Sequence, residues 1–96
     1  MNDKVRLVTT EGCEGCRIMT HIINEAIKKS TYTHIELEVI DFKDAKYKQF
    51  LNRYFVKDFP AILFMRENEV LCKFTGTNTI DYFTDKIKYW FGKALS

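Results

Sequence analysis

Proline and glycine are scarce in this 96-residue chain, at one and four residues. No flexible linker, low-complexity tract or internal repeat is present. Neither sign of charge dominates. Fifteen Lys and Arg stand against thirteen Asp and Glu, a net +2 with both signs interspersed. Such a balance gives no strong field for nucleic acid or anionic lipid, and neither is expected as a partner. No apolar run approaches the roughly 18 residues that span a bilayer. The opening residues Met-Asn-Asp-Lys run straight into a charged segment, without the apolar stretch of a secretory signal. Cysteine is limited to three, an odd number with two of them three positions apart. That is poor material for a secreted disulfide framework and better material for a cytoplasmic redox or metal site. With 46% apolar residues, the length suits one domain over 1–96, large enough to bury a core without staples.

The apolar pattern divides the chain into alternating elements. Val5, Leu7 and Val8 mark a short buried strand ended by Thr10-Glu11-Gly12. From Cys13 to Lys29, Ile18, Met19, Ile22, Ile23, Ala26 and Ile27 recur as adjacent pairs every four residues, the stripe of an amphipathic helix. His34 to Asp41 alternates, with Ile35, Leu37 and Val39 on one face and Glu36 and Glu38 on the other, as in an edge strand. A less regular helix is expected over Lys43 to Tyr54, with Ala45, Phe50, Leu51 and Tyr54 inward. Pro60 opens the unbroken apolar run Ala61 to Met65, which suits a central strand covered on both faces. Glu67-Asn68 makes a hairpin turn to a strand over Val70 to Thr75, in which Val70, Cys72 and Phe74 share the core face. A last helix carries Ile80, Phe83, Ile87, Trp90 and Phe91, with Asn78 as its cap and Asp81 in its first turn. The order β-α-β-α-β-β-α predicts an α/β layer fold, a four-stranded mixed sheet with helices on both faces and a right-handed first crossover.

Chemistry concentrates in Cys13-Glu14-Gly15-Cys16, between the first strand and the first helix. Unpaired N–H groups and the macrodipole at a helix N-terminus favour negative charge, so a Cys13 thiolate is stabilised there. Thiolates in such motifs have pKa values of about 3.5–7.5. One turn separates the sulfurs, close enough for a disulfide to close. Cys13 at the helix tip is placed to attack a substrate disulfide, and Cys16 in the first turn to resolve the mixed disulfide. A lone C-x-x-C is also half of a zinc site, but zinc requires four ligands. His21, His34 and Cys72 are poor candidates for the others, and neither a metal nor a bound cofactor is expected. Cys72 reads as a small buried apolar residue. Lys46, Tyr47, Lys48, Phe50, Arg53 and Tyr54 interleave basic and aromatic residues, read here as a helix face with a solvated rim.

Pro60 precedes the central strand in Val56-Lys57-Asp58-Phe59-Pro60-Ala61. Strand, C-x-x-C, helix, Val-x-x-Phe-Pro-Ala, strand, hairpin strand, Phe74-Thr75-Gly76 and closing helix together resemble the thioredoxin superfamily over nearly the whole chain. The resemblance implies that Pro60 is a cis-proline against the Cys13–Cys16 pair. It implies that Phe59 offers its backbone to an extended substrate peptide, and that Gly76 lies near the substrate groove. Gly76 reads equally as a loop residue with positive φ.

The chain departs from thioredoxins in having Gly12 before the first cysteine and Glu14-Gly15 between the pair. Leu7 stands where thioredoxins place a helper carboxylate, which leaves water, Glu11 or Glu14 to take the proton of Cys16. The chain is glutaredoxin-sized, yet Phe59, a single Gly76 and Glu11 do not match the glutathione-holding segments of glutaredoxins. Glu11 and Glu14 oppose the helix dipole and disfavour the thiolate, which makes the couple more reducing. The potential is expected nearer about −270 mV than about −120 mV. The reading is a monomeric, cytoplasmic thiol-disulfide oxidoreductase acting on disulfide-containing proteins, with a reductase or glutathione as electron donor. The alternatives are a glutaredoxin-like, glutathione-dependent reductase and a non-catalytic protein-binding module using the Phe59–Pro60 groove.

Overall fold

A computed structural model describes residues 2–92. It contains β1 (Asp3–Thr9), α1 (Glu14–Ser30), β2 (Glu36–Asp41), a 3₁₀ turn (Ala45–Tyr47), α2 (Lys48–Arg53), β3 (Ala61–Arg66), β4 (Glu69–Thr75) and α3 (Ile80–Gly92). The strands form one mixed sheet in the order β2-β1-β3-β4. β1 runs parallel to β2 and antiparallel to β3, and β3 and β4 form an antiparallel hairpin. The expected element order and mixed sheet are therefore observed.

Alternation along the two central strands builds two apolar layers. Val5 and Leu7 of β1 with Ile62 and Phe64 of β3 face α1 and α3, meeting Met19, Ile23, Ile27, Phe83, Ile87 and Phe91. Val8, Ala61, Leu63 and Met65 face the other way, against Leu51, Val56 and Ile40. Ala61 to Met65 are all buried, because a strand with helices on both faces has no wet side. Arg6 points into the second layer, where its guanidinium lies over the rings of Tyr47 and Phe50 at 5.3 and 4.6 Å and its Nε donates to Glu38. Glu38 on the edge strand β2 is thus answered by a cation rather than left to solvent.

Five expectations are corrected. The second helix is a 3₁₀ turn followed by only six α-helical residues, and Ala45 is exposed; the Asp44 carboxylate caps the turn by accepting from Lys46 N–H at 3.0 Å. Val39 is 49% exposed although Leu37 packs on the helix layer, since the cover over edge strand β2 stops short of it, and Ile40 is buried on the opposite face. Ile18, near the start of α1, is likewise exposed. A register shift in the β3–β4 ladder pairs Phe64 with Cys72 but Met65 with Val70. The extra residue, Leu71, moves Val70 to the α2 side while Cys72 and Phe74 stay on the other. The cap of α3 is Thr79, whose Oγ1 accepts from Tyr82 N–H at 3.1 Å; Asn78 instead accepts from Thr79 N–H.

One polar cluster is buried at the end of the sheet away from the cysteines. Asp3, 2% exposed, accepts two hydrogen bonds from Arg66, Nε to Oδ1 at 2.7 Å and Nη2 to Oδ2 at 2.9 Å. His34 Nε2 lies 2.9 Å from Oδ2, and Arg66 Nη2 also donates to the carbonyl of Phe91 at the end of α3. The cluster joins β1, β3, α3 and the approach to β2. Asp3 and His34 carry no sequence signal of this, because the pairing depends on the register Asp3↔Arg66.

Hydrogen bonding from Arg66 holds the Asp3 carboxyl below the ordinary carboxylate range, despite its burial. A carboxyl lowered in the folded state contributes stability that is present above its unfolded pKa, and that is lost as pH falls through its folded one. Asp3→Ala should therefore cost about 3–5 kcal/mol at neutral pH in urea denaturation, because it strands the Arg66 charge in the interior. The difference between wild type and variant should shrink once the pH drops below about 3.9. Cys72, expected to be buried, is half-buried against the helix layer, and its partial desolvation pushes the thiol up to about 12. At neutral pH Cys72 should resist iodoacetamide under conditions that label Cys13 in the reduced protein, as peptide mass mapping will read directly.

Candidate active site

The site lies at the end of the sheet where β1 stops and β3 begins, a consequence of their antiparallel register, in which Val8 faces Ala61. The chain leaves β1 through Thr10 to Gly12 and turns into α1 by a hydrogen bond from Cys13 N–H to the Thr10 carbonyl at 3.3 Å. Cys13 is the N-cap of α1, with extended backbone at φ −88° and ψ 99°. Its sulfur takes the role a Ser or Asp oxygen plays at other helix starts, accepting from Cys16 N–H at 3.2 Å. Cys13 and Cys16 are joined as a disulfide, with Cα atoms 5.4 Å apart.

The two cysteines differ in access. Cys16 is 4% exposed, packed at the base of the first turn, while Cys13 is half-buried at the rim. A cleft of about 500 Å³ beside the pair is lined by Thr9, Thr10, Gly12, Cys13, Glu14, Cys16, Arg17 and Thr20. Three of the lining residues are threonines, and the Thr20 hydroxyl donates to the Cys16 carbonyl at 3.0 Å. Asp3 is the one buried carboxylate among the described residues, and it sits at the far end of β1.

Pro60 follows a cis peptide bond to Phe59, and its ring packs against Gly15 between the cysteines. A Cβ on Gly15 would meet Pro60 Cδ at 3.3 Å and the Thr77 methyl at 3.0 Å. Glycine at this position lets the proline loop and the loop after β4 close over the turn. Gly76, at φ 83°, donates its N–H to the Pro60 carbonyl at 2.9 Å, tying these two loops together. Cys13, Cys16, Pro60 and Gly76 thus converge on one end of the sheet. Phe59 is half-buried, its ring edge-on to Phe42 with centroids 4.9 Å apart. Glu14 is exposed in the first turn of α1. Glu11 is exposed on the preceding turn and pairs with Lys43 Nζ at 3.4 Å.

Three contributors carry no signal in the sequence. Thr77 shows no pattern beyond following Gly76. Phe42 precedes and Lys43 opens the expected second helix, and nothing in their spacing links them to the cysteine pair. Among the described residues, no group of three His, Cys, Asp or Glu side chains gathers in a geometry that could hold a metal ion. No helix among them is long and apolar enough to cross a membrane.

No protein-family model matches the sequence, and no curated protein sequence matches it. Solved structures do resemble the fold. Thioredoxin-2 of the malaria parasite, a component of its protein secretion machinery, superposes with a TM-score of 0.74 at 17% identity, over 92% of this chain and 82% of that one. Thioredoxin 1 of Thermosipho africanus gives 0.73 at 17% identity over 97% and 99% of the two chains. A point mutant of a Halobacterium salinarum thioredoxin gives 0.75 at 15% identity over 93% and 74%. The chain has the thioredoxin fold, with a Cys-x-x-Cys pair at the head of its first helix.

Proposed function

We propose that this protein is a thiol-disulfide oxidoreductase that reduces protein disulfides by cycling Cys13 and Cys16 between dithiol and disulfide. The observation that carries the reading is the asymmetry of the pair. Cys13 is reachable and its sulfur accepts a backbone N–H, whereas Cys16 is buried one turn away at bonding distance. A hydrogen bond to the charged form favours that form, so the same N–H supports a thiolate on Cys13 once the pair is reduced.

The chemistry balances in two exchanges. The Cys13 thiolate attacks one sulfur of a substrate disulfide, forming a mixed disulfide and releasing the first substrate thiolate, which takes a proton from water. Cys16 then loses its proton and attacks Cys13 Sγ. The second substrate thiol leaves and the Cys13–Cys16 disulfide remains, two electrons having passed to the substrate. The cleft beside Cys16, lined by three threonines and by Glu14, supports water or Glu14 as the carrier of its proton. Glu11 and Glu14 are the carboxylates on that loop. Glu14 sits where it offsets the helix dipole, and Glu11 shares its charge with Lys43. Phe59, Pro60 and Gly76 form the wall on which an extended substrate would lie, with the Gly76–Pro60 hydrogen bond holding it in shape.

A reductase or glutathione would return the pair to the dithiol. A monomer in a reducing compartment such as the cytoplasm suits both a free Cys72 and a couple that must be re-reduced. Cys13→Ser should reduce a protein disulfide no faster than buffer alone. Cys16→Ser should instead accumulate a mixed disulfide on Cys13, read by intact mass. A wild-type protein that reduces a glutathione mixed disulfide faster than a protein disulfide would move the assignment to glutathione-dependent reduction. One that reduces neither would leave a binding module.

A further inference from the structure

The charge that looks balanced over the chain is not balanced over its surface. Phe42 to Phe59 carries five Lys or Arg against two Asp, a surplus of three, while the rest holds ten against eleven. That segment forms the 3₁₀ turn, α2 and the loop leading to Pro60, and its ends adjoin the cysteine loop and the proline. Lys43 reaches Glu11 on the cysteine loop, and Phe42 touches Phe59.

Two hollows flank α2. One of about 360 Å³ is lined by Phe42, Lys43, Asp44, Ala45, Lys48, Leu51 and Asn52, the Asp44 carboxylate being turned to the Lys46 N–H as the cap of the 3₁₀ turn. The second, of about 350 Å³, shares Leu51 and Asn52 and adds Phe55, Val56 and Lys57. Lys48 and Lys57 have no ion-pair partner among the described residues. The aromatic side chains at the two ends are exposed, Phe42 by 38% and Phe55 by 77%.

Phe55 is the unusual member. Its backbone is left-handed at φ 54°, a conformation that is costly for a bulky side chain and suited to glycine. The conformation is locked by Phe55 N–H to the Asn52 carbonyl, Val56 N–H to the Leu51 carbonyl, and Lys73 Nζ donating to the Tyr54 and Phe55 carbonyls. A large apolar ring on a strained backbone, mostly in water, does little for folding. With Lys57 unpaired in the same hollow and Lys48 in the adjoining one, the ring is placed for contact with a partner.

We infer that this face is a docking surface for an acidic segment of a partner protein. An aromatic or aliphatic side chain of the partner would enter the hollows between Phe42 and Phe55, and its carboxylates would meet Lys48 and Lys57. Nucleic acid is the competing occupant, and the rings argue against it. Tyr47 and Tyr54 are already covered by Lys46 and Arg53, and Arg6 lies over Tyr47 and Phe50, so only the separated rings Phe42 and Phe55 are open, without the run of stacking faces a single strand uses. In the setting of disulfide reduction, on which its biological use rests, the surface would select substrates with acidic residues near their disulfide.

The test is fluorescence anisotropy of the full chain with labelled, cysteine-free peptides: one with Phe between Asp residues, and its counterpart with Lys in place of Asp. The acidic peptide should bind about tenfold more tightly, and the preference should fade in about 0.5 M salt. Lys48→Glu/Lys57→Glu should remove the preference. Phe55→Gly should weaken binding while its Tm does not fall. Equal affinity for the two peptides overturns the inference. So does a Phe55→Gly variant that loses Tm but keeps affinity, or a single-stranded oligonucleotide that binds as tightly as the acidic peptide. Reduction of hydroxyethyl disulfide, too small to use the surface, is measured in parallel on the same proteins. It tests the pair alone, so a failed docking surface and a failed redox assignment give different results.

Discussion

The antiparallel pairing of β1 with β3 is the constraint on which the rest of the molecule depends. Both strands are central; β3 is apolar on both faces and β1 adds Val5 and Leu7 to one layer and Val8 to the other, so helices cover the sheet on both sides. The same pairing brings the end of β1 level with the start of β3. The segment leaving β1 carries Cys13 and Cys16, and the segment entering β3 carries Phe59 and Pro60. Residues distant in the sequence therefore meet without a loop having to reach for either. At the opposite end of the same two strands, the register places Asp3 against Arg66 and seals the sheet with a buried ion pair.

What the site adds to this frame is economy of contact. A cysteine serves as the helix cap, so the group that ends the backbone's unmet N–H is also the reactive sulfur. The absence of a side chain on Gly15 lets Pro60 and Thr77 close over the turn, and the Gly76–Pro60 hydrogen bond keeps the two loops together. Cys16 is buried by its position in the first turn, while Cys13 remains at the rim. The difference in access between the sulfurs thus follows from helix geometry.

Much of this was legible in the sequence because it rests on period and punctuation. The paired apolar residues of α1, the unbroken run of β3, and the placement of C-x-x-C and Pro60 at element boundaries each follow a local rule. The features that escaped are set by tertiary register. Leu71 inserts into the ladder and turns Val70 to the other face, which alternation alone cannot show. Thr79 rather than Asn78 caps α3 because both are good caps and the choice depends on where the chain leaves Gly76. The Asp3–Arg66–His34 cluster joins residues from three distant parts of the chain. The basic surplus around α2, by contrast, is written in the sequence and is obscured only because the net charge averages it away.

The central claim is that Cys13 and Cys16 form one reversible two-electron couple poised for reduction of other proteins. Equilibrating the purified chain in dithiothreitol and glutathione buffers, with thiol trapping and intact mass, measures this directly. The account predicts a single two-electron transition confined to these two cysteines, with Cys72 remaining a thiol, at or below about −220 mV. A transition well above about −200 mV would contradict the assignment as a reductant, and the absence of any reversible disulfide would contradict the redox assignment itself.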